Sequence, residues 1–224
     1  MRNVAIIPAR AGSKGLADKN VANILGKSLI EYTLQAACKA DVFQAIIVST
    51  DDEKVMRVCE NYPVICQERP SEFCTDNAGA SDVVRYVVHV NKLERDDRIC
   101  YLQPTSPLRD HLHIQRSMEL FCEHKLPVVS VTPANEIPYK MFTLLNGTLD
   151  PLFSEEMTNM RRQDLPKVFK ANGAIYIFSV GQFQVNDGFP SRGGVPFIMP
   201  ANLSHDLDSE SDKFLIENVM REML

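Results

Sequence analysis

Between Val4 and Asn20 the chain reads VAIIPARAGSKGLADKN. Val4–Pro8 is apolar throughout and has no polar face, which fits a strand buried on both sides in the middle of a parallel sheet. Arg10–Asn20 then gives a polar loop with two glycines, Gly12 and Gly15, a hydroxyl at Ser13, and cations at Arg10, Lys14 and Lys19. Ser28–Ala40 follows with Leu29, Tyr32, Thr33, Ala36 and Ala37 at helical spacing. A core strand, a glycine-bearing loop and a helix open an α/β domain. Ligands of such domains sit beyond the carboxyl ends of the strands.

The alternation continues outward. Ala45–Val48 is a second strand ending at STDD, Asp52–Tyr62 a helix and Pro63–Cys66 a short third strand. Ala80–Val90 is a helix, Ile99–Leu102 a strand running into QPTSPLR, Asp110–Glu123 a helix and Pro127–Val131 a fifth strand. Strands separated by helices of this size imply right-handed crossovers and a parallel sheet. The rhythm then changes. Tyr139–Phe153 reads as a hairpin turning at Asn146-Gly147. A basic stretch, NMRRQDLPKVFKANG, leads to apolar strands at Ala174–Phe178 and Val195–Met199. Asp208–Leu224 closes the chain as an amphipathic helix, with Phe214, Leu215, Val219, Met220 and Leu224 expected inward. The expectation is an α/β fold with a mostly parallel central sheet and helices on both faces, built from residues 1–134 and 171–224. Residues 135–170 are expected as an inserted lobe.

Composition sets the outer limits. The 224 residues carry 24 Lys+Arg against 29 Asp+Glu, a net charge of −5, and 45% are apolar. That much apolar content excludes a disordered chain, and no run approaches the roughly 18 apolar residues of a membrane span. Mild acidity argues against coating nucleic acid, but local cations can still bind a small anion. The six cysteines include no CxxC, so reduced, partly buried thiols in a cytoplasmic chain are expected rather than a zinc site. The apolar run at the N-terminus is too short for a signal peptide.

Four clusters carry candidate chemistry. The Arg10–Asn20 loop can approach a polyphosphate with its backbone N–H groups and neutralise it with its cations; it reads otherwise as a solvated turn, and Asp18 as a cap. In HDLDSESD, Asp206 and Asp208 are two apart and face the same way in an extended segment. They can converge on one hard cation such as magnesium, or Asp208 or Ser209 can cap the last helix. Gln103, Thr105 and Ser106 in QPTSPLR offer an amide and two hydroxyls to a polar substrate, or close a rigid turn. Arg161, Arg162, Lys167 and Lys140 suit a carboxylate or phosphate, or form a solvated face. His111 and His113 do not share a helix face, which rejects a zinc pair.

IIPARAGSKGLADKN, the Gly26–Thr33 stretch, YLQPTSPLR, RRQDLP, NGAIYI and HDLDSE together resemble the cytidylyltransferases that activate nine-carbon acidic sugars. The resemblance spans essentially the whole chain. It is nearest to the N-acylneuraminate enzymes, close to those for legionaminic and pseudaminic acids, and more distant from those for 3-deoxy-manno-octulosonate. It implies a Rossmann-like nucleotidyltransferase fold whose 135–170 lobe makes a homodimer. It implies that Arg10, Gly12, Ser13, Lys19, Asn20, Arg69 and Ser81 handle CTP, with Arg10, Lys19 and Asp208 catalytic. Gln103, Thr105, Ser106, Lys140, Arg161, Arg162 and Tyr176 would face the sugar, and Asp206 and Asp208 would hold magnesium. The implied reaction transfers CMP from CTP to the anomeric hydroxyl of N-acetylneuraminic or legionaminic acid, releasing pyrophosphate. Pseudaminic acid or octulosonate is the alternative acceptor. A nucleotidyltransferase for a neutral sugar phosphate or alcohol and a non-enzymatic nucleotide-binding subunit are the rival readings. The family usually has two adjacent glycines where this chain has Ala11-Gly12, so Ala11 must take a backbone geometry open to L-residues.

Overall fold

The computed structural model describes residues 1–12, 15–75 and 78–223. Strand β1 (Asn3–Pro8) is followed by the short pair β2 (Asn23–Ile24) and β3 (Lys27–Ser28), then helix α1 (Leu29–Ala40), β4 (Ala45–Thr50), α2 (Glu53–Cys59) and β5 (Ile65–Glu68). Next come α3 (Ala80–Val90), β6 (Arg98–Tyr101), α4 (His111–His124) and β7 (Val128–Pro133). The hairpin β8 (Phe142–Leu145) and β9 (Thr148–Pro151) precedes the single-turn α5 (Glu155–Asn159). The chain returns through β10 (Phe169–Ser179), α6 (Val180–Asn186), β11 (Val195–Ile198) and α7 (Glu210–Glu222).

Seven strands form one sheet in the order β11-β7-β10-β6-β1-β4-β5. β10 runs antiparallel to both of its neighbours, and the other pairings are parallel. The alternation of side chains along β1 explains the layers. Ala5 and Ile7 face a core with Ile30, Leu34, Ile114, Met118 and Phe121 of α1 and α4. Val4 and Ile6 face a second core with Val83, Val84 and Val87 of α3 and Val180 and Phe183 of α6. Both faces of β1 are therefore covered by helices, which is why its sequence lacks a polar side.

The helices begin where the sequence supplies caps. Ser28 and Glu31 form a capping box on α1, with Glu31 Oε2 accepting from Ser28 N–H at 2.7 Å. Asp110 Oδ1 accepts from His113 N–H on α4 at 2.9 Å, and His113 Nδ1 accepts from Asp110 N–H at 3.1 Å. This employs His113 in a cap rather than at a metal. Asp41 and Lys125 end α1 and α4 in the left-handed conformation.

Three readings need correction. Phe214 and Leu215 are exposed; α7 instead seats Ile216, Val219 and Met220 against Ile24, Leu29, Leu108 and Leu207. A helix on the rim buries a narrow stripe, and the i, i+3, i+4 set starting at Ile216 wins; Leu224 lies outside the described residues. The strand after α2 begins at Ile65, since Pro63 has no N–H to give a ladder. The strand read at Ala174–Phe178 extends from Phe169 to Ser179, antiparallel. After the 134–168 excursion the chain re-enters at the far end of β7, Phe169 pairing with Pro133, so it must run back. The short α5 and α6 give too little periodicity to read. Among the described residues no helix is long and apolar enough to cross a membrane, and all six cysteines are free.

Candidate active site

The loop after β1 is held from below and from the side. Thr50 Oγ1 donates to Ala9 O, and Ala9 N–H donates to Ser49 O at 3.0 Å. Asp51 Oδ1 accepts from Ala11 N–H at 2.8 Å. Asn20, buried within the loop, donates its side-chain amide to Arg10 O at 2.9 Å. The left-handed conformation falls on Gly12 (φ 71°) and not on Ala11, which meets the requirement the alanine imposed. Arg10 NH1 donates to Cys74 O at 3.3 Å. Asp18 heads the single turn Lys19–Val21 with φ 52° but makes no side-chain cap; its carboxylate pairs with Lys54 at 2.6 Å. Ser13 and Lys14 lie outside the described residues.

The aspartate segment closes on this loop from the other end of the chain. A Cβ on Gly15 would collide with the backbone carbonyl of Asp208, so only glycine permits this approach. Lys19 Nζ stands 2.6 Å from Asp208 Oδ1. Leu207 N–H donates to Thr105 O at 2.8 Å and Leu207 is fully buried, which sends Asp206 and Asp208 to the opposite side. Capping of α7 falls to Ser209, with Asp212 Oδ2 accepting from Ser209 N–H and Oγ. Asp208 is thereby released from that duty. Asp206 Oδ1 is buried without a hydrogen-bond partner among the described residues. Burial pushes the Asp206 carboxyl above the usual carboxylate range, Thr105 opposes the rise, Asp208 adds to it and Lys19 opposes it. A buried, orphaned carboxylate oxygen beside a second carboxylate and a polyanion-suited loop fits a hard cation with two protein ligands. No cluster of three metal-ligating side chains occurs among the described residues.

The loop and QPTSPLR share one cleft of about 160 Å³ lined by Pro8, Arg10, Lys19, Asn20, Gln103, Pro104 and Thr105, and the aspartate segment adjoins it through Lys19 and Thr105. Gln103 is packed against Gly173, whose φ is +77° and where a Cβ would sit 2.5 Å from Gln103 Oε1. Ser106 is buried and its hydroxyl donates to Asn172 O, away from the cleft. Tyr176 packs edge-on to Tyr101 and Phe189. Burial raises its pKa, and the nearby charge of Asp206 adds to the rise. Arg69 is buried beneath the loop, its NH2 donating to Ser49 O at 2.6 Å; burial pulls its pKa down. Ser81, in the first turn of α3, faces Gly188.

The basic residues of the lobe lie apart from this cleft. Lys140 Nζ donates to Thr158 O at 2.8 Å, and Arg161 Nε pairs with Asp164 at 2.6 Å. Arg162 is exposed in the turn that follows.

Sequence reasoning passed over three residues. Asp51 anchors the phosphate-suited loop, and its position at the carboxyl end of β4 was the available signal. Burial pushes the neighbouring Cys74 thiol up to about 11, and a hydrogen bond to Asp51 adds to the rise. Asn172 is a buried hub: its Oδ1 accepts from Ser130 Oγ at 2.6 Å and from Ala174 N–H, and its Nδ2 donates to Ser204 Oγ. Arg109, at the end of QPTSPLR, is an internal strut. It is 1% exposed and donates to Gln103 O, Ala174 O and Thr33 Oγ1. Burial pulls its pKa down to about 10.

A model of cytidylyltransferases matches residues 4–176, from β1 through Tyr176. The chain belongs to the cytidylyltransferase family. It is 32% identical, over 93% of its length, to the N-acylneuraminate cytidylyltransferase of Escherichia coli O18:K1:H7, and spans about half the length of that relative. It also spans about half of the similar Streptococcus agalactiae enzymes. It is 31% identical to the CMP-N,N'-diacetyllegionaminic acid synthase of Legionella pneumophila, covering 98% of this chain and 97% of that protein. To the pseudaminic acid cytidylyltransferase of Campylobacter jejuni it is 28% identical, covering 95% and 93%.

Solved structures agree on the fold of this member of the cytidylyltransferase family. A CMP:2-keto-3-deoxy-manno-octonic acid synthetase complexed with CTP superimposes with a TM-score of 0.74 at 19% identity, covering 100% of both chains. A 4-diphosphocytidyl-2C-methyl-D-erythritol synthase gives 0.68 at 13% identity, covering 98% and 99%. The Rossmann-like nucleotidyltransferase architecture is thus shared.

Proposed function

We propose that this cytidylyltransferase transfers CMP from CTP to the anomeric hydroxyl of a nine-carbon 2-keto acid sugar of the N-acylneuraminic or legionaminic type, releasing pyrophosphate. One observation carries the reading: the loop after β1 and Gln103–Thr105 line a single cleft at the carboxyl ends of β1 and β6, and the Asp206–Asp208 segment is held against its wall by Lys19 and Thr105. The relatives named for sialic, legionaminic and pseudaminic acids support the sugar class.

In this reading the triphosphate lies along the loop, with Gly12 allowing close backbone approach. Arg10 and Lys19 stabilise the charge that builds on departing pyrophosphate. Arg69 and Ser81 border the nucleoside side. The sugar enters over Gln103, Thr105 and Tyr176, and its anomeric oxygen attacks the α-phosphorus opposite the leaving group. Ser106 supports Gln103 from within by fixing Asn172. Magnesium, held by Asp206 and Asp208, would supply phosphate charge neutralisation and Lewis acidity.

The cleft of about 160 Å³ is below the roughly 300–1,000 Å³ of small-molecule sites. A second copy of the chain completes it in our reading. The hairpin exposes Phe142, Leu144, Leu145, Leu149, Leu152 and Phe153, an apolar surface suited to a homodimer. Lys140, Arg161 and Arg162 would then reach the sugar carboxylate of the partner's site. The free thiols suit a reducing, cytoplasmic setting.

The test is pyrophosphate release from CTP with N-acetylneuraminic, legionaminic, pseudaminic and octulosonic acids in parallel. Turnover is expected with a nine-carbon acid and lost when its carboxylate is reduced. Absence of CTP-dependent turnover with all four would sink the reading, and tight CTP binding without turnover would favour a non-catalytic nucleotide-binding subunit.

A further inference from the structure

A second cavity, larger than the cleft at about 380 Å³, lies between α1, the start of α4 and α7. Its walls are apolar, with Leu25, Ala36, Leu108 and Met220 among them. The volume is within the range of small-molecule sites.

The charged groups around it are predominantly of one sign. Lys27, Lys39 and Arg109 line it, against a single carboxylate, Asp110, and the His111 imidazole adds a hydrogen-bonding group. That carboxylate is already engaged by the His113 N–H in capping α4. On α7, Glu217 is paired with Arg221 at 3.0 Å. Lys27 donates to Gln35 Oε1, lies 5.6 Å above the Tyr32 ring and is felt by the Glu31 carboxylate, which is itself engaged by Ser28 and the Tyr62 hydroxyl. Lys39 has no hydrogen-bond or ion-pair partner among the described residues, and it is exposed. Arg109 is buried, its hydrogen bonds go to neutral oxygens, and its Nε has no partner among the described residues. Asp110 and Glu31 offset part of this charge, and an excess of positive charge remains along the wall, led by Lys39. An apolar hollow with such an excess favours a ligand that brings a negative charge and an apolar body together.

We propose that this cavity is a second ligand site that takes an amphipathic organic anion, its apolar body against Ala36, Leu108 and Met220 and its carboxylate toward Lys27, Lys39 and His111. The site stands independently of the reading of the cleft. It also has a path to that cleft, because Arg109 donates from the cavity wall to Gln103 O, and Gln103 lines the cleft.

The test uses the full chain and two probes, decanoate and the fluorescent anion 8-anilinonaphthalene-1-sulfonate. Saturable fluorescence enhancement is expected, displaced by decanoate but not by dodecyltrimethylammonium or CTP. It should be lost in the double variant Lys27→Glu/Lys39→Glu, which reverses the charge of two exposed side chains, and in Ala36→Phe, which fills the hollow; circular dichroism checks folding of both. Calorimetry should show decanoate binding lost in parallel. Signal retained in the charge variant, displacement by CTP, equal displacement by the cation, or no binding at all would overturn the proposal. Retained signal would place the probe on another apolar surface, such as the exposed hairpin.

Discussion

Lys19 Nζ and Asp208 Oδ1 stand 2.6 Å apart although 189 residues separate them in sequence. The lysine is 11% exposed and the aspartate 70%, so the pair bridges the floor of the cleft to its solvent side. It ties the loop after β1 to the segment before α7. In the proposed reaction Lys19 would take a phosphate oxygen as its partner, which would free Asp208 to hold a divalent cation with Asp206.

Asp208→Asn keeps a hydrogen-bond acceptor for Lys19 but removes the charge. Turnover should fall by about 10²-fold or more, while stability stays within about 0.5 kcal/mol because the side chain is largely exposed. Pyrophosphate release and urea unfolding measure the two quantities. Unchanged turnover would remove Asp208 from the metal role.

Asp51 holds Ala11 N–H and so shapes the phosphate-suited loop. Asp51→Ala is expected to raise the KM for CTP more than it lowers kcat, and Asp51→Asn, which retains an acceptor, should restore much of the loss. A KM for CTP that is equal in all three proteins would show that the contact does not position the loop.

Gly173→Ala places a methyl group where Gln103 Oε1 sits and forces an L-residue to φ +77°. The Gln103 carboxamide must move. The KM for the acidic sugar should rise while the KM for CTP holds, since the phosphate loop is untouched. A proportional change in both constants would point to general disruption instead.

Arg109→Met keeps apolar bulk but leaves the Gln103 and Ala174 carbonyls and the Thr33 hydroxyl without their buried donor. A loss of about 3 kcal/mol or more is expected, read from denaturant midpoints at constant slope. A loss under about 1 kcal/mol would mean that other groups or water take over the three acceptors.

Asp97 tests the pH dependence of the fold. Burial alone would raise its pKa, but Arg2 donates to it from Nε, NH2 and backbone N, and Glu94 N–H adds another hydrogen bond, so it lies below the usual carboxylate value. An acid with a lowered folded-state pKa contributes stability above its unfolded value, near about 3.9, and loses it as pH falls through the folded value. Asp97→Asn should therefore be less stable than the parent at pH 7, with the gap closing as the buffer is taken below about pH 4. Parallel denaturation curves at both pH values decide this; a gap independent of pH would refute the linkage.

Much of the site was legible because local rules fix it. Strict alternation put Asp206 and Asp208 on one side of Leu207, and the cap on Ser209 freed Asp208. The position of the Arg10–Asn20 loop after a two-sided core strand identified the carboxyl edge. Asn172 and Arg109 were not legible, since nothing in NGAIYI or PTSPLR says that these polar side chains turn inward. Their hydrogen-bond partners come from α1, β7 and the segment before α7. Ser106 was read as facing substrate, but its hydroxyl turns toward Asn172 for the same reason.

By itself the sequence determined the α/β alternation, the helix periodicities, the capping residues Ser28, Asp110 and Ser209, and the residue types suited to a polyphosphate. These follow from short-range sterics, hydrogen bonding and apolar spacing within a dozen or so residues. Only the tertiary structure decided that β10 inserts antiparallel between β6 and β7, that Gly15 meets Asp208, that Lys19 pairs with it, and that Arg109 lies between the cleft and a second cavity. Those depend on which distant segments share the carboxyl edge of the sheet, a choice made by burying both faces of β1 at once.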